Sequence, residues 1–284
     1  MAQIEGLWHA TAMGADYESL LGPLQRLFGA VVMHDHVSDD PAVGRRGGMV
    51  WLGDNSIEIG APVGERSPVR GFVEKLGGGM HSLALRITDA RATEDRLAAS
   101  GVSVAARVGD DVFFTRPADT AGLLFEWSAL HTDDDPRWGF ALAPCPVAPV
   151  VTVRRFGFVT AAVADPVAAA VRIGALLGTE VTRRTPDAGP GEVGAVVSLG
   201  DCLLVLFALP LPEDPWPFGP RPTRPRFHGQ GLVVDDLGDA LDALARAGVR
   251  SVAALEHAVL LDPAAVPVPT FVCDGLLPED PRRG

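Results

Sequence analysis

MHSLALRITD, residues 80–89, reads as a β-strand that runs into an aspartate and then into a helical stretch, DARATEDRLAASG, at 89–101. FHGQGLVVDD, residues 227–236, repeats that pattern 147 residues later. The same offset pairs WLGDNSIEIGAP (51–62) with SLGDCLLVLFAL (198–209), and DRLAASGV (95–102) with DALARAGV (242–249), with no gap between them. Upstream the offset becomes 149, matching LFG (27–29) to LLG (176–178). A fixed long period over several elements marks a duplicated domain. Between the copies, HTDDDPRWGFALAPCPVAP (131–149) turns acidic and then proline-rich, the composition of a linker. The expected boundaries are a first domain at 1–132, a linker at 133–150 and a second domain at 151–278.

Each domain halves again. LWHATAM is a strand, and a helix from about Asp16 to Phe28 ends at Gly29, a residue suited to a helix C-cap. GAVVMHD, GGMVWLG and SIEIGAP follow as strands. MHSLALRIT then starts the second half, with its own helix and the strands SVAARVG, DVFFTRP and GLLFEWSAL. The fold class is α+β, built from a strand–helix–three-strand unit used four times.

That internal symmetry singles out four residues. His9 and His81 lie in the first strand of each half, and Glu58 and Glu126 lie in the last, with His-to-Glu separations of 49 and 45 residues. In SIEIG the isoleucines face one side of the sheet and Glu58 the other; in LLFEWS, Phe125 and Trp127 likewise face away from Glu126. A carboxylate inside an apolar strand is costly unless it is paired or bound to a metal. If the halves pack about a pseudo-twofold axis, two imidazoles and two carboxylates meet in one cleft, a donor set for a borderline divalent metal.

Composition narrows the partners. The chain has 284 residues, a net charge of −12 and only short basic clusters, such as Arg154-Arg155 and Arg183-Arg184. Nucleic acid and anionic membrane surfaces are not its expected partners; a small-molecule substrate is. Cys145, Cys202 and Cys273 are widely spaced and form no CxxC pair, as in a reducing compartment. The N-terminal stretch carries early acids and no basic segment, unlike a signal peptide, so a cytoplasmic protein is expected.

The first domain, above all LGDNSIEIGAP…SPVRGFVEKLGGGMHSLALRITD, resembles the vicinal oxygen chelate superfamily, and within it the methylmalonyl-CoA epimerase-like members. The resemblance extends over about 5–130 and 152–275. It implies that paired βαβββ units form a cupped mixed sheet around one divalent transition metal ion (Co, Ni, Zn, Mn or Fe). Carried over by position, its ligands are His9, Glu58, His81 and Glu126. It also implies an isomerase or lyase that takes a proton from a carbon beside a carbonyl, with Glu126 or Glu58 as base. The substrate would carry vicinal oxygens, as in an acyl-CoA thioester; Arg116 or Arg70 would hold its anionic part, and Trp127 could stack on it. There are departures: Gly47, Gly48 and Met49 stand where some epimerases place a glutamate base, and the tandem histidine of epimerases is His81-Ser82.

By the offsets above, His9 maps to Phe158, Glu58 to Val205, Glu126 to about Cys273, and only His81 finds a like residue, His228. The second domain is therefore expected to be inactive and to pack on the first, giving a monomer with an internal pseudo-dimer, or a homodimer. ALPLPEDPWPFGPRPTRPRF (208–227) reads as a lid or an edge cover. HDH (34–36) runs into a polar loop and reads as a solvated strand end. Two other classes remain open: an extradiol-type dioxygenase using iron on His9, His81 and Glu126, and a non-catalytic small-molecule binding or resistance protein.

Overall fold

Aspartate opens a helix in each of the four half-units, because its carboxylate satisfies a backbone N–H that has no partner inside the first turn. Asp16, Asp89, Asp165 and Asp236 accept hydrogen bonds of 2.8–2.9 Å from the N–H three residues on. A computed structural model describes residues 4–38, 44–188, 192–209, 223–255, 257–280 and 282. In the first domain these fold as β1 (Gly6–Met13), α1 (Tyr17–Phe28), β2 (Val31–Ser38), β3 (Arg45–Leu52), β4 (Asn55–Pro62), α2 (Arg70–Leu76), β5 (Gly79–Arg86), α3 (Ala90–Ala99), β6 (Val104–Val108), β7 (Val112–Thr115) and β8 (Phe125–Ser128). The second domain follows with β9 (Arg155–Val163), α4 (Pro166–Leu177), β10 (Val181–Arg184), β11 (Val193–Ser198), β12 (Leu203–Ala208), β13 (Arg226–Val233), α5 (Leu237–Arg246), β14 (Ser251–Leu255), β15 (Ala258–Leu261) and β16 (Thr270–Cys273). The short helix α2 is an addition to the sequence expectation, which ran from β4 to β5 without one. Most of the proline-rich stretch 208–227 lies outside the described residues.

Each domain is one eight-stranded sheet. The orders, β2-β3-β4-β1-β5-β8-β7-β6 and β10-β11-β12-β9-β13-β16-β15-β14, are the same. Within each, the first strands of the two halves pair antiparallel at the centre, and each pairs parallel with the last strand of its own half. This arrangement makes the halves equivalent about a pseudo-twofold axis and leaves one face of the sheet as a cup. The opposite face carries the main hydrophobic core, which runs through both domains and includes Ile57, Ile59, Phe125 and Trp127.

The LGD turns of the repeat join the two domains. Asp201 accepts from the backbone N–H of Leu7, 2.7 Å, and Asp54 accepts from Phe156 N–H, also 2.7 Å. The contact is reciprocal: each domain's turn caps the other's first strand. It requires close backbone approach, so Gly53 takes φ +71°, and a Cβ there would come within 3.1 Å of the Arg155 backbone. Two arginines repeat the exchange at the helix ends, Arg96 donating to the Leu176 carbonyl and Arg172 Nη2 to the Ser100 carbonyl at 3.0 Å.

Candidate functional site

Sheet register decides which side chains enter the first cup. On β1, His9 lies opposite Ser56 and Thr11 opposite Glu58; on β5, Ala84 lies opposite both His9 and Glu126. Residues directly opposite one another share a face. His9, Thr11, Glu58 and Glu126 therefore converge. His9 Nε2 stands 3.6 Å from Glu58 Oε2 and 3.9 Å from Glu126 Oε2. Both ring nitrogens of His9 are buried without a hydrogen-bond partner. The cup encloses a cavity of 210 Å³ whose lining also includes Met33, His34 and Met49.

His81 is not in this cluster. Thr11 pairs with Ser82 and Ala12 with Met80, so β5 bulges and His81 is the extra residue. The side chain that shares the cup face with Thr11 is Ser82, 1% exposed. His81 packs edge-on against Phe72, centroids 4.9 Å apart, with its Nδ1 3.2 Å from Ser82 Oγ, and lines a second cavity. Sequence alternation could not reveal this, because a bulge resets the alternation by one residue.

Charges in the cup are unequal. Burial, and then the Arg137 and Arg45 charges, push His9 down to about 3. Burial and the facing Glu58 carboxylate push Glu126 up to about 8, although Arg45 opposes this. Glu58 is held from two sides: Arg45 Nη2 donates to Oε1 at 2.5 Å and Thr11 Oγ1 donates to Oε2 at 3.4 Å. Among the described residues no group of three or more His, Cys, Asp or Glu side chains is already gathered as a metal cluster.

The arginines named from the sequence lie elsewhere. Arg116 is exposed beside a short 3-10 turn, and Arg70 opens α2 and bonds the Gly64 carbonyl. Trp127 is fully buried on the opposite face, stacked on Phe113 with its indole N–H directed to Thr115 Oγ1 at 3.4 Å. It is core, and no substrate can reach it. The arginines that do line the cup are Arg45 and Arg137. Arg45 was legible by parity, since 45, 47 and 49 alternate toward the face that Glu58 shares with Met49. Arg137 was not, because it comes from the linker. It is paired with Asp135 and donates to the Leu7 and Trp8 carbonyls where β1 bulges. His34 lies on β2 at the rim, paired with Asp134 of the same linker at 3.0 Å.

The second cup is built alike and filled differently. Phe158 lies opposite Leu203 and Gly231, Val205 opposite Thr160, and Gly231 opposite Phe271. The counterpart of Glu126 is thus Phe271, two residues short of the Cys273 that a constant offset implies. A Cβ on Gly231 would fall 2.2 Å from the Phe158 ring, so that ring occupies the space at the centre of the cup. His228 is the extra residue of the β13 bulge, as His81 is in β5.

Two cupped sheets of paired βαβββ units are the architecture of the vicinal oxygen chelate superfamily. Along its length the chain is similar to a mutant 4-hydroxymandelate synthase from Streptomyces coelicolor, with a TM-score of 0.65, 17% identity and coverage of 98% of this chain and 94% of that one. No protein-family model matches. Over 126 residues it is 31% identical to the ethylmalonyl-CoA/methylmalonyl-CoA epimerase of Cereibacter sphaeroides, covering 42% of this chain and 92% of that protein. The crystal structure of methylmalonyl-CoA epimerase from Mycobacterium tuberculosis is 27% identical, with a TM-score of 0.42, over 45% of this chain and 89% of that one. The chain belongs to the vicinal oxygen chelate superfamily, and the 126 matched residues are similar to a methylmalonyl-CoA epimerase of that superfamily. Among the described residues no helix is long and apolar enough to cross a membrane.

Proposed function

We propose that the first domain is an epimerase-like isomerase or lyase that removes a proton from the carbon beside a carbonyl in a small acyl substrate, and that the second domain is structural. The observation that carries this reading is the buried trio of a partnerless imidazole and two carboxylates in a cup that has room for substrate. The equivalent cup of the second domain is packed with phenyl rings. The relative's name supplies the substrate class, a 2-substituted malonyl-CoA. A 210 Å³ cavity admits the acyl head and leaves the nucleotide part outside.

His9, Glu58 and Glu126 fit as ligands of one divalent transition metal ion. A cation between them would satisfy the His9 nitrogen and offset the burial and the Glu58 repulsion that raise Glu126, with Glu58 exchanging Arg45 for the ion. When bound, the metal supplies Lewis acidity to the substrate's carbonyl oxygen. The two-histidine, one-glutamate set of an extradiol dioxygenase is not assembled, because His81 lies outside the cup.

The protein's own groups divide the remaining work. Glu58 is anchored by Arg45 and Thr11, while Glu126 has only the distant His9 contact, so Glu126 is the carboxylate free to move a proton. The Cα–H bond breaks, the proton passes to a Glu126 oxygen, and the electron pair moves into the carbonyl. Return of a solvent-exchanged proton from Glu126 to the same face replaces the hydrogen with one from solvent; delivery of a proton from water to the opposite face inverts the centre. Arg45, released from Glu58, faces the cup as a partner for the substrate carboxylate.

Incubating the metal-loaded protein with methylmalonyl-CoA in deuterium oxide tests this. Deuterium should enter Cα as read by mass spectrometry, and Glu126→Gln should slow its entry by about a hundredfold or more, the contribution typical of a positioned base. Equal incorporation by Glu126→Gln, or none by the wild type with any of the five metals, would overturn the reading.

A further inference from the structure

The second cavity, 390 Å³ in volume, lies where α2 and β5 of the first domain meet the start of β13. Its polar lining is wholly basic or neutral: His81, Arg224 and Arg226, with no carboxylate among the described residues that line it. Arg226 spends its hydrogen bonds on carbonyls, donating from Nη2 to Gly78 at 2.9 Å and from Nε to Phe227 at 3.3 Å. Those bonds orient the guanidinium and leave its charge unneutralised. Arg224 is exposed and has no carboxylate partner among the described residues. The two guanidinium groups are close enough to repel, and burial together with Arg224 lowers the proton affinity of Arg226.

Two arginines that line one cavity without an acid are unfavourable unless something negative joins them. The site has features of construction. Gly79, with φ +105°, leaves the space Arg226 uses, since a Cβ there would be 3.0 Å from its Nη2. Phe72 has His81 edge-on at 4.9 Å and the Arg226 guanidinium 5.5 Å from its centroid. Leu76, Leu124 and Pro225 make the rest of the wall apolar. A free inorganic anion would use the arginines and waste that wall.

We propose that this junction binds an organic anion with an apolar body, its carboxylate or phosphate head on Arg224 and Arg226 and its chain against Phe72, Leu76 and Leu124. The site joins the two domains, which gives the second domain a binding role that its filled cup does not. It is separate from the first cup and does not depend on the reaction proposed there.

Calorimetric titration of the full chain in phosphate-free, low-salt buffer tests the site with hexyl phosphate, hexanoate, hexanol and inorganic phosphate. At least one of the two amphipathic anions should bind once per chain, tenfold or more tighter than hexanol or inorganic phosphate; whichever binds tighter identifies the head group. Arg224→Gln, a change at an exposed side chain that should leave the circular dichroism spectrum unaltered, should weaken binding at least tenfold. Leu76→Ala should weaken it as well, and Glu126→Gln should leave it unchanged. Equal binding of inorganic phosphate, no binding of either amphipathic anion, indifference to Arg224→Gln, or loss in Glu126→Gln would each overturn the proposal.

Discussion

Glu58 and Glu126 occupy equivalent strands and face the same imidazole, yet they differ in what holds them. Glu58 is tied to Arg45, whereas Glu126 faces a like charge in a buried setting and has its pKa pushed up to about 8. The sign follows from linkage. Between the ordinary glutamate value and about 8 the folded protein binds a proton at Glu126 that the unfolded chain has released, so the contribution of this carboxyl is largest at low pH and falls as pH rises. Above the ordinary histidine value, where His9 and His81, lowered by burial, no longer impose the opposite dependence, urea unfolding of the metal-free protein at pH 7, 7.5 and 8 should show that decline. Glu126→Gln, which removes the titrating group, should flatten it, and saturating zinc should flatten it in the wild type. An identical slope in Glu126→Gln would show that the dependence arises elsewhere.

At the scale of elements, the LGD turns do more than end a hairpin. Asp54 and Asp201 each reach across to an N–H on the other domain's first strand. Replacing either by alanine strands that N–H in a partly buried interface, which costs about 1–2 kcal/mol. Asp54→Ala and Asp201→Ala should therefore each lower the unfolding free energy by that amount in urea melts, and an unchanged midpoint in both would remove the turns from the interface. These turns were visible in the sequence as the longest gap-free match between the copies, but nothing local distinguishes a hairpin aspartate from a clasp. Strands, helices and caps were legible because periodicity and an Asp…Gly frame are local signals, as at Asp16 and Gly29. His81 was misplaced because one bulge residue reverses which face a side chain enters, and a bulge leaves no mark in composition. The match of Glu126 to Phe271 rather than Cys273 has a similar cause: a gap between β13 and β16 changes the offset while the ladder keeps the register.

In the whole molecule, duplication gives two cups with one backbone and opposite contents. The first keeps His9, Glu58 and Glu126 around an open cavity. The second places Phe158, Val205 and Phe271 at the same three positions, and those side chains belong to a local core of its own. Such a core stabilises the domain and leaves no donor set for a metal. The proposal that one cup carries the chemistry is tested most directly by metal location. A crystal of the protein loaded with cobalt, measured at the cobalt absorption edge, should show one anomalous peak per chain, within bonding distance of His9, Glu58 and Glu126, and none in the second cup. A peak on His81, a peak among Phe158, Val205 and Phe271, or no peak at saturating cobalt would contradict it.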